Sequence, residues 1–177
     1  MEDFFPLTVQ EVIRETPDAV TLSFSPVEDT KFRFQAGQYL TLRVNIDGKT
    51  FRRAYSLSAS PLDKRLNITV KQVQGGKVSP YLCNQIAAGA SLEILPPMGD
   101  FTFQPATEKG KSYFMFAGGS GITPIFSILK TILQTEPQSN VYLFFGNKNK
   151  QSIIFREELA ALEAKYPNQF FVDWKYP

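Results

Sequence analysis

The hydrophobic pattern of the chain changes once, near residues 103 to 110, and that change limits the possible folds more than any single motif. Before it, six short segments rich in β-branched and aromatic residues alternate with turn signals: Leu7 to Arg14, Ala19 to Phe24, Tyr39 to Ile46, Thr50 to Leu57, Leu66 to Val73 and Ser91 to Leu95. That spacing is all-β. Asp47-Gly48, between the third and fourth segments, tolerates positive φ at both positions and predicts a tight hairpin. Six such strands suit a small antiparallel barrel, which removes exposed edges by closing on itself. One helix interrupts them over Val78 to Ile86, with Ser79 and Pro80 fitting its start and Gly89 following its end.

After the change the order is strand, glycine turn, helix, strand, helix, strand. Ser112 to Ala117 is a continuous apolar run, as expected of a strand buried on both faces. Pro124 to Leu133 carries Ile125, Ile128, Leu129 and Ile132 at helical spacing. Val141 to Phe145, a helix from about Ser152 to Lys165, and Phe170 to Trp174 complete the pattern. This is the opening of a doubly wound parallel sheet, whose ligands bind at the carboxyl ends of the strands. The expected fold class is all-β plus α/β: a six-stranded antiparallel barrel over residues 1–104, then an incomplete doubly wound parallel sheet over 105–177.

Composition removes whole chemistries. The 177 residues include no histidine and a single cysteine, Cys83. A Ser-His-Asp or Cys-His nucleophile pair is therefore excluded, and no metal site is expected. One cysteine supports neither an internal disulfide nor an iron–sulfur cluster held by four thiolates. Cys83 itself reads as a small buried hydrophobe in the helix of the barrel half. A net charge of +2 argues for neither nucleic acid nor an acidic membrane as partner. The start of the chain shows no signal-peptide pattern and the apolar runs are too short to span a bilayer, so a cytoplasmic location is expected.

Three segments carry candidate chemistry. Ala117-Gly118-Gly119-Ser120-Gly121-Ile122-Thr123-Pro124 joins an apolar strand to a helix. Its glycines permit close approach of a ligand, and the helix start offers unpaired N–H groups and a positive dipole end to a pyrophosphate. Pro124 suits the first turn, where no donor is required. The same glycines would also serve a turn that only needs tight packing. In Phe51-Arg52-Arg53-Ala54-Tyr55-Ser56-Leu57-Ser58, strand geometry puts Arg53, Tyr55 and Leu57 on one face. An arginine fork suits a phosphate and an aromatic two residues on can cover a planar ring, although a half-exposed strand would present the same residues. Gly75-Gly76-Lys77-Val78-Ser79 again places glycines before a helix start, either as a second anion cradle or as a loop with Ser79 as N-cap.

Together these motifs resemble the ferredoxin–NADP reductase superfamily. Arg53-Ala54-Tyr55-Ser56 matches its Arg-x-Tyr-Ser/Thr flavin motif, Gly75 to Ser79 its flavin-pyrophosphate loop, Pro97-Met98-Gly99-Asp100-Phe101 its inter-domain segment, and Gly119 to Pro124 its nicotinamide dinucleotide loop. Phe145-Gly146-Asn147-Lys148, followed by Ser152 to Leu159, is similar to reductase components of multicomponent oxygenases, especially the phenylacetyl-CoA epoxidase reductase type. The resemblance implies an FAD-binding barrel and the first part of an NAD(P)-binding domain. It implies that Arg53 binds flavin phosphate, Tyr55 stacks on the isoalloxazine and Ser56 hydrogen-bonds near its reactive N5 edge. Leu57, Thr69, Val70, Lys71, Gly76, Lys77, Val78 and Ser79 would line the rest of the flavin, partly through backbone atoms. Gly119, Ser120, Gly121, Thr123 and Pro124 would bind the dinucleotide, with Thr123 close to where the rings meet. Tyr55, Ser56 and Thr123 are thus the residues nearest the chemistry. Asn147 and Lys148 follow the second parallel strand, where the adenosine ribose is read; Lys148 would attract a 2′-phosphate and favour NADPH over NADH, or be a solvated surface lysine.

The implied reaction is hydride transfer from nicotinamide to FAD, with FMN an alternative, and release of electrons to an oxygenase component, an iron–sulfur centre or another acceptor. The protein's task would be to hold the reacting atoms about 3 to 3.5 Å apart. The family's later Cys-Gly-Pro segment is missing, and a [2Fe–2S] centre is expected only if a further C-terminal domain exists. The expectation is therefore part of a longer protein. A non-catalytic flavin- or nucleotide-binding module is the competing class.

Overall fold

The computed structural model describes residues 3–24, 30–63, 65–106 and 110–176. Residues 107–109, inside the expected border between the two halves, lie outside the described residues, as do Met1, Glu2 and Pro177.

In the first half, β1 (Phe5–Thr16), β2 (Ala19–Phe24), β3 (Tyr39–Ile46), β4 (Lys49–Ser56), β5 (Asn67–Lys71) and β6 (Ser91–Ile94) form one antiparallel sheet. Its spatial order is β4-β3-β6-β1-β2-β5. A bridge between Leu57 and Ile68 brings the two ends together, closing the expected barrel. Asp47 and Gly48 both take positive φ, 52° and 74°, as a two-residue hairpin with the native twist requires. That turn sets a register running from Tyr39 opposite Ser56 to Ile46 opposite Lys49.

Val9, Leu22, Phe24, Leu40, Leu42, Leu57, Ile68 and Val70 fill the barrel, and α1 (Val78–Asn84) adds Leu82 and Cys83 to the same core. Cys83 is buried, as expected, and its Sγ donates to the Val70 carbonyl. Strand β2 departs from half-burial: all six residues are buried. Its outer face carries Ala19, Thr21 and Ser23, and Ala19 belongs to the core of the second half. The barrel therefore docks through a face of small and hydroxyl-bearing residues.

The second half is a parallel sheet of β7 (Ser112–Gly118), β8 (Asn140–Gly146) and β9 (Phe170–Lys175), in that order, with α2 (Ile122–Thr135) and α3 (Arg156–Lys165) in the crossovers. Phe126, Leu129, Ile132 and Leu133 of α2 and Leu159 of α3 share one core with Met115, Val141, Leu143, Phe145 and Phe170. No described helix is long and apolar enough to cross a membrane.

Two expectations are corrected here. Strand β7 is not buried on both faces: Phe114 and Phe116 are 63% and 72% exposed. Consecutive right-handed crossovers in one direction place both helices on the same side of the sheet. On the other side Phe114 stacks on Tyr142 at 5.0 Å, Tyr142 on Phe171 at 5.2 Å, and Phe116 on Phe144 at 4.9 Å. The helix expected from Ser152 is also split. A short 3-10 turn, Lys150–Ser152, is closed by a reciprocal Asn149–Ser152 capping box, and α3 begins only at Arg156. Between them Phe155 takes φ 59°, a conformation costly for a bulky side chain. Its ring stacks on Phe126 at 4.2 Å in the core, which offsets that cost.

Glu136, at the end of α2, ties the second half together. Its buried carboxylate accepts hydrogen bonds from the Ala106 N–H (2.7 Å), the Tyr113 hydroxyl (2.9 Å) and the Ser139 hydroxyl (2.8 Å). Burial works to raise its pKa, but these donors and the charge of Lys111 prevail and hold it below the ordinary value. Burial and the carboxylate together push the Tyr113 phenol up to about 12.

Replacing Glu136 by Ala orphans three donors, each costing about 1–3 kcal/mol when buried without a partner, so urea unfolding should show a loss of roughly 3 kcal/mol or more. Because the folded pKa is lowered, the carboxylate's contribution is complete above the ordinary glutamate pKa of about 4.3 and is lost as pH falls through the folded value. The stability gap between wild type and E136A should therefore narrow in acid. The aromatic face yields a second prediction: this 177-residue chain should bind a hydrophobic dye and self-associate with rising concentration, and F114K/F116K should reduce both.

Candidate functional site

The barrel closes at one point and opens beside it. Leu57 bridges Ile68, and the Ser58 N–H donates to the Asn67 carbonyl at 2.8 Å. Beyond this contact β4 and β5, the two ends of the sheet order, form no further bridges among the described residues. Arg53 to Ser56 on one strand and Thr69 to Lys71 on the other thus present unpaired backbone edges across a gap.

Arg53 and Tyr55 lie opposite Leu42 and Leu40, on the same side of β4 as the buried Leu57. Arg53 is exposed, and its guanidinium donates to the Arg52 carbonyl. Tyr55 is half-buried against the barrel core. Burial and then the nearby Cys83 thiol push its phenol up to about 12, against the opposing charge of Arg53. The same tyrosine is therefore within electrostatic reach of Arg53 and of α1. Arg52 points the other way and lies over the Phe4 ring beside Arg43. Ser56 is half-buried at the end of β4.

Other expected residues have their side chains occupied. Leu57 and Val70 are in the core, and the Leu57 N–H donates to the Gln38 carbonyl. The Thr69 hydroxyl shares a 2.7 Å hydrogen bond with that of Thr21 and lies 3.2 Å from the Ser58 hydroxyl. These three can serve a ligand only through backbone atoms. Lys71 pairs with Asp18 at 3.6 Å. Gly76 and Lys77 are exposed in the loop before α1 and Val78 is buried. Ser79 is not the N-cap, which is Lys77; its hydroxyl accepts the Val73 N–H at 3.0 Å and so shapes the loop from inside.

The second motif arrives at the same place. Gly119–Gly121 form a 3-10 turn immediately ahead of α2 and lie against β5. Gly119 takes φ +50°, and nothing lies within 4 Å of where a side chain at Gly119 or Gly121 would begin. The turn thus leaves free space before the positive end of a 14-residue helix. Ser120 is exposed. Thr123 is buried and donates to the Ser120 carbonyl at 2.9 Å, fixing the turn, while Pro124 occupies the first helical turn. Asn147 and Lys148 follow β8, at the edge where Gly118 pairs with Gly146. The Asn147 N–H donates to the Lys175 carbonyl, and its buried Oδ1 has no partner. Lys148 is exposed.

The donor set fits two phosphate-bearing ligands meeting between the sheets. Arg53, Lys77 and unpaired strand edges stand on one side; the Gly119–Gly121 turn and the α2 N-terminus stand on the other, and the partnerless Asn147 Oδ1 adds an acceptor suited to a hydroxyl rather than to a phosphate. The sequence reading missed what holds the two sides in register: Ser60 and Asp63 after the flavin-motif strand, and Ser127, Lys130, Thr131 and Gln134 on α2. The trace in the sequence is the set of hydroxyls at Ser127, Thr131 and Thr135, four residues apart on α2 beside Lys130 and Gln134.

Comparison with known proteins agrees with this geometry. Residues 6–103 match the oxidoreductase FAD-binding domain and residues 115–176 the oxidoreductase NAD-binding domain. The chain is 43% identical over 172 residues to one of the subunits of the 1,2-phenylacetyl-CoA epoxidase of Escherichia coli, covering 96% of this chain and 48% of that protein. It is 41% identical over 170 residues to the ferredoxin reductase component of 3-ketosteroid-9-alpha-monooxygenase of Rhodococcus rhodochrous, covering 94% and 47%. The chain spans about half the length of these relatives. The flavohem-like FAD/NAD-binding domain of nitric oxide dioxygenase from Vibrio cholerae shares the fold, with a TM-score of 0.86 at 24% identity over 99% of this chain and 75% of that one. With more than half of its residues matched by the FAD-binding family and most of the remainder by the NAD-binding one, the chain belongs to the FAD- and NAD-binding oxidoreductases of the ferredoxin reductase-like fold.

Proposed function

We propose that the chain is the flavin-holding and nicotinamide-accepting part of an NAD(P)H-dependent reductase that passes electrons through FAD to an iron–sulfur centre or oxygenase component. The observation that carries this reading is the convergence of the unpaired β4 and β5 edges with the glycine turn ahead of α2. The working division is residues 1–104 for the flavin and 105–177 for the nicotinamide dinucleotide. Relatives named as parts of an epoxidase and of a monooxygenase, the second as its ferredoxin reductase component, support an oxygenase as acceptor, and a cytoplasmic setting accords with such a role.

Each residue's task follows from its place. Arg53, exposed at the mouth of the barrel, offers a rigid fork to the flavin phosphate, and Tyr55 offers a half-buried ring to its planar system. Ser56 sits at the end of the unpaired edge and would hydrogen-bond near the flavin N5. Thr69 would contribute backbone, and Leu57 and Val70 only the backbone atoms left beside their bonds to Gln38 and Cys83; Lys71 would contribute backbone and a charge shared with Asp18. Gly76, Lys77, Val78 and Ser79 form the loop toward the flavin pyrophosphate. Gly119, Ser120 and Gly121 would present N–H groups to the dinucleotide, Thr123 and Pro124 hold that turn, and Asn147 and Lys148 would bind its adenosine end. FAD, when bound, supplies a two-electron acceptor that can release electrons singly. The chain itself contributes binding, alignment and exclusion of water, and no acid–base residue is required for a hydride step.

Anaerobic titration of the FAD-loaded protein with NADPH and then NADH tests the reading and reports the preferred donor. Loss of the yellow flavin absorbance is expected. A yellow protein that neither donor bleaches would point to a non-catalytic binding module, and a protein unable to take up FAD or FMN would overturn both readings. Site roles are tested by flavin affinity. R53A should weaken FAD binding about 10-fold or more, the loss of a charged hydrogen bond of roughly 1.5–3 kcal/mol. Y55A should weaken it by less, and flavin fluorescence on mixing measures both.

A further inference from the structure

The segment that continues β4 is clamped to one face of α2 by side chains. The Ser127 hydroxyl donates to the Ala59 carbonyl at 2.6 Å, and the Thr131 hydroxyl, which donates to the Ser127 carbonyl at 2.8 Å, lies 3.1 Å from that of Ser60. Lys130 pairs with Asp63 through Oδ2, and Gln134 donates to Asp63 Oδ1 at 3.2 Å. Asp63 also accepts the Ser60 N–H at 2.8 Å, which folds its own loop into the required shape. Positions 127, 130, 131 and 134 form a single stripe along the helix. Ser60 and Ser127 are fully buried, and Thr131 is 4% exposed.

A polar stripe at a buried contact costs free energy unless every group is paired, and apolar residues would fill the same space without that demand. Directional hydrogen bonds do what apolar packing cannot: they admit one register between the partners. Ser127 lies one helical turn beyond Thr123, and Ala59 lies three residues beyond Ser56. The clamp is therefore a short connection between the turn that meets the dinucleotide and the strand that meets the flavin.

We propose that Asp63, Lys130 and Ser127 are positioning residues, whose clamp between the β4 continuation and α2 sets how the nicotinamide approaches the flavin. The inference rests on the functional reading given above. A displacement near 1 Å at a reacting centre can lower a rate about 100-fold, so a small slip of α2 along the barrel is enough to matter.

The test compares D63N, K130M, S127A and the charge-reversed pair D63K/K130D with wild type, all loaded with FAD. Three quantities are read: FAD affinity, the visible spectrum with bound oxidised nicotinamide dinucleotide, and the rate of anaerobic flavin reduction at saturating NAD(P)H. The expected result is FAD affinity within about 2-fold of wild type, an altered dinucleotide-bound spectrum, and reduction slowed roughly 10- to 100-fold in the single variants. The reversed pair should recover only part of the rate, since a lysine at position 63 cannot accept the Ser60 N–H or the Gln134 amide; the altered dinucleotide-bound spectrum at unchanged FAD affinity is the readout that a merely structural role would not move. Variants that lose thermal stability yet reduce at the wild-type rate when saturated would overturn the proposal while leaving the functional reading intact. A wild-type protein that binds FAD but is reduced by neither nicotinamide would overturn both.

Discussion

Among the described residues the two ends of the barrel sheet meet at one bridge, Leu57 to Ile68, and the rest of the site depends on that economy. Had β4 and β5 paired along their length, their backbone groups would have satisfied one another and no edge would remain for a ligand. Pairing at one point holds the barrel core shut around Leu57, Ile68 and Val70 and leaves Arg53 to Ser56 and Thr69 to Lys71 with unfilled hydrogen-bonding edges. The same closure directs the chain beyond Leu57 onto the outer surface, where it meets the second half.

That meeting is polar to an unusual degree for a buried contact. The outer face of the barrel offers Ala19, Thr21, Ser23, Ser58 and Thr69, small side chains that let other elements approach closely. Glu15 adds a partly buried carboxylate, accepting from the Thr21 hydroxyl and from the backbone of Phe155 just ahead of α3. Burial raises its pKa, only partly opposed by the Thr21 hydrogen bond, and the charge of Glu158 adds to the rise. On the other side of the contact, burial works to raise the Asp63 pKa, but the Lys130 hydrogen bond and charge hold it below the ordinary value. α2 and the segment just ahead of α3 are therefore tied to the barrel at defined atoms, beside the apolar contact made by Ala19 and Ala36.

The second sheet is asymmetric. Its helix-covered face is a closed core, whereas the other presents the stacked aromatics Phe114, Phe116, Tyr142, Phe144 and Phe171. Parallel sheets are ordinarily covered on both faces, whereas Phe114 and Phe116 of β7 are exposed here.

The amino-acid sequence by itself determined the elements and the family. Period-2 segments, the Asp47-Gly48 turn and the glycine turn after an apolar strand are local signals, and they specified the barrel, the β3–β4 hairpin and the β7–α2 junction with boundaries shifted by one to a few residues. The ligand motifs were legible for the same reason, since Arg53, Tyr55 and Gly119 stand in short contiguous patterns. Tertiary structure alone decided which face of β7 is covered, because an apolar run does not say on which side its crossover helices will pack. It alone decided that Phe155 would break a helix to reach Phe126, and that Ser79 would brace a loop rather than cap a helix. It also decided the clamp of Asp63 on Lys130 and of Ala59 on Ser127, residues 67 and 68 positions apart. The four-residue spacing of hydroxyls on α2 does not name their partners, because a hydrogen bond between distant segments depends on where the whole chain has carried each partner.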